Sequence, residues 1–155
     1  MAGSPQYPRE LMRWSAEFYG PVLDALVRPQ DVGTFRLNEH DYCLGDRKFG
    51  GNAQTISRDR WVHHTSFLWA FAPENMALLR LPDKRPDYRL DRAHGEFLTQ
   101  LSAHAAPHAR APGAFHDAVL QRLRLSFDVR EADPEEAWDV ARRSRERQSN
   151  AYVEY

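Results

Sequence analysis

Gly45-Asp46-Arg47-Lys48-Phe49-Gly50-Gly51-Asn52-Ala53-Gln54 is the stretch on which the fold turns. Gly45-Asp46 between two β-prone runs is a two-residue hairpin signal. It makes Tyr42, Cys43 and Leu44 one strand and Lys48 to Ser57 its partner. Arg58, Asp59 and Arg60 then predict a second tight turn. Trp61 to Phe71 follows, rich in aromatic and β-branched residues, with apolar groups on both alternate faces. That pattern predicts a central strand covered on both sides.

The flanks add helices and one more strand. Thr34 to Leu37 reads as a short strand before the hairpin, after a turn at Pro29 to Gly33. Upstream, past a loop at Gly3, Ser4, Pro5 and Pro8, Leu11, Trp14, Phe18 and Val22 recur at helical spacing. Gly20-Pro21 interrupts or kinks that helix. Downstream, Pro73 opens a short helix over Glu74 to Leu79. Phe97, Leu98, Leu101 and Ala105 predict a helix over about 92–105. Ala106 to Gly113 is a linker, and Phe115, Val119 and Leu120 predict another helix. Leu123, Leu125, Phe127 and Val129 alternate strictly, which predicts a strand. Asp133-Pro134-Glu135-Glu136 is a helix start, from which the helix runs to about Gln148, before an apolar tail at Ala151 to Tyr155. The fold class expected is α/β of the α+β kind: a mixed, largely antiparallel sheet packed on helices, in a single domain over 1–155.

Composition narrows the function classes. The chain has 155 residues, 42% hydrophobic, 28% charged and 12% aromatic, which excludes a disordered or collagen-like chain. Lys+Arg 21 against Asp+Glu 22 leaves no basic excess for nucleic acid or anionic lipid. One cysteine, Cys43, excludes an internal disulfide and a cysteine-rich zinc site. No apolar run approaches the ~20 residues of a membrane span, and no secretory signal is visible. The expectation is a soluble intracellular protein; cytoplasm, mitochondrion and plastid are not distinguished. Among the basic residues only Lys48 and Lys84 are lysine. In a chain this biased toward arginine, each lysine marks a place where a compact ammonium has its own use.

The hairpin is also where chemistry can sit. Residues i and i+2 share a strand face, so Lys48, Gly50, Asn52 and Gln54 point one way. If Ser57 pairs with Trp61, Gln54 lies opposite His64 and Asn52 opposite Ser66. One face then carries Lys48, Asn52, Gln54, His64 and Ser66, with His63 on the other. Gly50 and Gly51 bare the backbone beside Lys48. A cation, donors and bare backbone suit a phosphate or carboxylate. The same features also fit a bulge with a solvated edge lysine.

Other candidates carry less. Adjacent His63 and His64 face opposite ways and do not share one ion; one buried and one exposed histidine is the simpler reading. His94, His104, His108 and His116 read as surface residues. Arg142, Arg143, Arg145 and Arg147 could meet phosphate, but the simpler reading is that they complement the negative end of their helix; Trp61, Phe67, Trp69 and Phe71 read as core. Asp87 and Asp91 sit in a polar stretch unsuited to acid–base work.

The stretch from Asn38 to Arg89 resembles the lipoate–protein ligase A group of the biotin/lipoate ligase superfamily. The matching pieces are Asn38-Glu39, the run Gly45 to Gln54, Trp61-Val62-His63-His64-Thr65-Ser66-Phe67-Leu68, and Leu81-Pro82-Asp83-Lys84-Arg85-Pro86-Asp87-Tyr88-Arg89. Gly50 and Thr65 depart from the commonest residues of that pattern. The resemblance implies the catalytic-domain fold of that superfamily. It also implies ATP-dependent activation of lipoic or octanoic acid as an acyl-adenylate, with Mg2+. The acyl group would pass to a lysine on a lipoyl carrier domain, of a dehydrogenase E2 or a glycine-cleavage H protein.

By the same resemblance, Lys48 is the catalytic lysine at the acyl-phosphate. Gly50, Gly51, Asn52, Ala53, Gln54 and His64 belong to the substrate and nucleotide site, and Asn38 lies near the nucleotide and metal. Arg142, Arg143, Arg145 and Arg147 could then meet an acidic carrier domain, and one of Trp61, Phe67, Trp69 and Phe71 could line an apolar acyl channel. The family's upstream loop of paired arginine and three glycines has no counterpart here. The chain therefore resembles the second half of a catalytic domain: a fragment, half of an enzyme completed in trans, or a ligase-like subunit that binds a partner or carrier. The octanoyltransferase branch uses a downstream cysteine nucleophile, and Cys43 lies upstream of Lys48.

Overall fold

In the computed structural model, which describes residues 7–28, 32–57 and 61–145, four strands build one antiparallel sheet in the order β1-β2-β3-β4. They are β1 (Phe35–Asn38), β2 (Asp41–Leu44), β3 (Arg47–Ile56) and β4 (Trp61–Phe67). Leu44 pairs with Arg47, so Gly45 and Asp46 are the whole β2–β3 turn. Gly45 sits at φ 56°, and a Cβ there would meet the Val32 carbonyl oxygen at 2.3 Å. Glycine at the first turn position is what a two-residue hairpin with one left-handed residue requires.

Helix α1 (Pro8–Leu26) covers one face of the sheet. Its buried positions Leu11, Met12, Ser15, Phe18, Val22, Leu23 and Leu26 form a single stripe. Met12 and Leu23 join Tyr42, Leu44 and Phe49 in the core, with Phe35, Leu37 and Phe67 packed on it. Each such fully buried side chain contributes about 1.5–3 kcal/mol relative to exposure. Pro21 does not interrupt this helix. It sits on the exposed side, so the carbonyl it leaves without an N–H faces water. The ring of Trp14 on α1 lies 5.3 Å from that of Trp61 on β4. A buried polar chain also crosses this layer: Ser15 Oγ donates to the Met12 carbonyl at 2.8 Å, and Tyr42 Oη lies 2.7 Å from Ser15 Oγ and 2.9 Å from His63 Nε2.

Beyond the sheet come α2 (Pro73–Ala77), a 3₁₀ turn at Asp87–Arg89, α3 (His94–Phe97), α4 (Leu101–His104), a 3₁₀ turn at Pro107–Ala109 and α5 (Pro112–Arg124). The helix expected over 92–105 is two short helices. Leu98 and Gln100 are extended, and Thr99 N–H donates to the Lys48 carbonyl at 2.8 Å. Leu98 thereby forms an isolated parallel bridge with Lys48. Bonds to the sheet replace helical bonds across that gap. His104, expected at the surface, is half-buried, with Nε2 2.7 Å from Thr99 Oγ1.

Three further expectations change. β4 is an edge strand among the described residues, with Trp61, His63, Thr65 and Phe67 turned inward and Val62, His64 and Ser66 exposed. The apolar residues after Phe67 lie past the end of the strand. The β3–β4 register is Ile56 with Trp61, one residue from the expected pairing. No strand forms at 123–129, where α5 runs through Arg124 and the Leu123 carbonyl accepts from Ser126 and Phe127 N–H. The turn expected at 29–33 lies partly, and that at 58–60 wholly, outside the described residues, as do the tail at 151–155 and residues 3–5 of the N-terminal loop; Pro8, expected in that loop, is instead the first residue of α1.

The described residues fall into two units, divided after Arg122. The second contains α6 (Pro134–Arg145), where Asp133 Oδ1 accepts the Glu135 N–H at 2.9 Å as an N-terminal cap. Arg142 lies 3.5 Å from Asp139 and 3.6 Å from Glu135, within its own helix. No described helix is long and apolar enough to cross a membrane.

Candidate active site

A bulge decides which residues share the open face of the sheet. Cys43 pairs with Lys48, but Tyr42 pairs with Gly50, so Phe49 is an extra residue in β3. Phe49 turns into the core, fully buried. The alternation of β3 is reset there. Gly51 and Ala53 join Lys48 on the face away from α1, while Gly50, Asn52 and Gln54 lie on the other. Opposite Gly51 and Ala53 on β4 stand Ser66 and His64. The bulge and the one-residue shift of β4 each reverse a face. They cancel for His64 and Ser66, which do share the face of Lys48, but not for Asn52 and Gln54.

The two adjacent glycines therefore do different things. A Cβ on Gly50 would meet Phe67 Cδ1 at 2.6 Å, so this glycine makes room for core packing. A Cβ on Gly51 would stand 3.7 Å from Lys48 Cε and Nζ, an ordinary contact. Gly51 leaves the backbone bare beside the ammonium. Asn52 donates Nδ2–H to the His40 carbonyl at 2.7 Å, tying β3 to the β1–β2 turn, and Gln54 Nε2 lies 3.4 Å from Asn52 Oδ1. His64 Nε2 is 3.2 Å from Ser66 Oγ on the exposed face. His63 is the half-buried one of the pair, bonded to Tyr42.

Lys48 itself lines a cleft of about 280 Å³ with Glu39, His40, Asp41, Lys84, Arg85 and Pro86. Both lysines of the chain thus face one opening. Lys48 Nζ lies 2.6 Å from Asp41 Oδ1, and the Tyr88 hydroxyl donates to Asp41 Oδ2 at 2.9 Å. Glu39 Oε1 accepts the Asp87 N–H at 2.9 Å, anchoring the segment that carries Lys84 and Arg85. Asn38 pairs with Asp41 at the end of β1, and that corner presents Glu39, His40 and Asp41 to the cleft instead. Sequence reasoning missed His40, Asp41 and Tyr88. Tyr88 lay within a matched motif, whereas nothing local marks Asp41 as the partner of Lys48.

Cys43 is buried, its Sγ 3.2 Å from the Tyr88 hydroxyl. Burial pushes both the thiol and the phenol above their ordinary values, so both stay protonated. A protonated, enclosed thiol is a poor nucleophile. Among the described residues no three His, Cys, Asp or Glu side chains converge to hold a metal ion. Asn38 stands at the β1–β2 corner, paired with Asp41.

No solved structure matches this chain. It is similar to the inactive lipoate–protein ligase 2 of Plasmodium falciparum (isolate 3D7), 29% identical over an alignment of 144 positions, and the match covers 76% of this chain. The chain spans 38% of the length of that relative. The sequence profile of the lipoyl protein ligase A/B catalytic domain matches residues 4–124, a span holding the sheet, the Lys48 cleft and all of α5. The chain belongs to the lipoyl protein ligase A/B catalytic domain family.

Proposed function

We propose that this chain provides the lysine-bearing part of a site that joins lipoic or octanoic acid to ATP and passes the acyl group to a carrier lysine. The observation that carries the reading is the Lys48 ammonium in a cleft, beside bare backbone at Gly51 and across from Lys84 and Arg85. In the first step the acid's carboxylate attacks the α-phosphorus and pyrophosphate leaves. Negative charge crowds where acid and phosphate meet, and a fixed ammonium there lowers the barrier. In the second step the carrier's amine attacks the acyl carbon and AMP departs, with the same ammonium offsetting the charge released. ATP enters as its Mg2+ complex, a substrate. The carrier is the lipoyl domain of a dehydrogenase E2 or a glycine-cleavage H protein. The arginine- and glycine-rich loop of the family comes from other residues, in trans or in a longer chain.

A second reading is a catalytically incomplete subunit that keeps the fold and binds a partner chain or carrier domain. It is favoured by the word "inactive" in the name of the Plasmodium falciparum relative. One experiment separates the two. The chain is incubated with ATP, Mg2+, lipoate or octanoate and a carrier domain, with and without an added N-terminal half. The expected result is a carrier heavier by one acyl group. No gain in either mixture sinks the ligase reading and leaves the binding one.

A further inference from the structure

Lys48 does not find its direction unaided. Its ammonium has three N–H donors, and Asp41 Oδ1 at 2.6 Å takes one, leaving two for an arriving anion. Asp41 is fixed in turn, because the Tyr88 hydroxyl holds its other oxygen. The side chain of Asp41 is 12% exposed, that of Lys48 29%, so the pair sits at the cleft wall with limited access to water.

Tyr88 is set by a strained turn. Leu90 stands at φ 56°, ψ −137°, a conformation normally left to glycine, and the Arg92 N–H closes the turn onto the Arg89 carbonyl at 3.4 Å. Arg89 Nε donates to the Arg92 carbonyl and Arg92 Nε to the Arg89 carbonyl. Both guanidinium groups lie near the Phe97 ring, at 4.5 and 5.3 Å from its centroid, and the Tyr88 ring is 5.3 Å from the same ring. Backbone strain persists only where its surroundings over-determine it. Here the surroundings fix one direction for the Tyr88 hydroxyl.

We propose that Asp41 and Tyr88 are positioning residues, which hold the Lys48 ammonium pointing into the cleft before any ligand arrives. Its catalytic consequence rests on the ligase reading above; the positioning itself does not. A free lysine side chain has rotamer freedom to lose when it engages a ligand. The Asp41–Tyr88 pair removes much of that freedom in advance.

The scarcity of lysine makes the test clean. The full chain is treated with limiting acetic anhydride, and acetylation at Lys48 and Lys84 is read separately by peptide mass spectrometry, with Lys84 as internal reference. Asp41→Asn should raise the Lys48 to Lys84 ratio about fivefold, the loss of one ion pair. Tyr88→Phe should raise it about twofold, the loss of one supporting hydrogen bond. Unchanged ratios in folded variants overturn the proposal. Should Asp41→Asn fail to fold, Tyr88→Phe decides alone, since it deletes only a hydroxyl.

In the acyl-transfer assay, Asp41→Asn should lower kcat about tenfold with the KM for ATP nearly unchanged. A raised KM with unchanged kcat overturns the positioning role. If the unaltered chain forms no acyl-adenylate either alone or with the added N-terminal half, the ligase reading fails and the labelling ratios still decide the positioning.

Discussion

The two faces of the sheet are built from neighbouring residues and serve opposite ends. The face against α1 is closed: Tyr42, Leu44 and Phe49 are buried there, and Ser15, Tyr42 and His63 bond in a chain. The other face is part open, with Val62 65% exposed and His64 and Ser66 on the surface. Lys48 is anchored on that face by Asp41. A single inserted residue, Phe49, separates the two programmes along β3. Closed packing tolerates no missing or added atom, whereas the open face tolerates change in the fold and is sensitive in its chemistry.

That contrast can be broken at adjacent positions. Phe49→Ala should cost about 3–5 kcal/mol, read as a lower urea midpoint. Lys48→Ala beside it should cost about 1 kcal/mol or less, yet lower adenylate formation by about 100-fold or more. Comparable stability losses at both positions would mean that the faces do not divide as described. The glycines give the next largest contrast. Gly50→Ala should destabilise by about 1–3 kcal/mol through its clash with Phe67. Gly51→Ala should stay within about 0.5 kcal/mol in thermal melting and weaken ligand binding instead.

At Leu90, 72% exposed and left-handed, glycine should relieve strain. Leu90→Gly is expected to raise stability by about 1 kcal/mol; a lower melting temperature would remove strain from the account of that turn.

The smallest effect is one of pH on the closed face. His63 Nδ1 is buried with no partner, and burial, aided by His64, lowers the proton affinity of the ring below its usual 6.5. Ser15 gives its proton to Met12, which is consistent with Tyr42 donating to Ser15 and neutral His63 donating from Nε2 to Tyr42. The unfolded chain binds a proton there before the folded one does. His63 thus contributes stability that is fully present above about pH 6.5 and lost as pH falls through the lower folded value. Urea midpoints at about pH 7.5 and about pH 5.5 should differ less in His63→Gln than in the unaltered chain. An equal difference would show that the proton loads elsewhere.

The same contrast explains what the sequence made legible. Gly45-Asp46 set the hairpin correctly because turn chemistry is local. Asp133-Pro134 likewise started α6 where expected, because capping is local too. The antiparallel sheet on helices and the family of the chain were also readable, from strand composition and from motifs with fixed spacing. The bulge at Phe49 was not, since one extra residue leaves no compositional mark and is chosen by where the aromatic ring finds space. Nor was the edge position of β4, because an apolar strand end reads like a covered strand. Leu98 to Gln100 left helix for sheet through bonds to Lys48, a partner fifty residues away that periodicity cannot show. Lys48 stood out by rarity and pattern, whereas Asp41 and Tyr88 acquire meaning only through distances.

The closeness of Trp14 and Trp61 supplies an optical consequence. Two indoles with rings 5.3 Å apart and tilted 60° couple their excited states. Circular dichroism should therefore carry a paired-sign band from them, which vanishes when α1 lifts from β4. Substituting either tryptophan by phenylalanine would erase that band while leaving the helix signal in place, giving a dye-free gauge of whether the helical cover is seated.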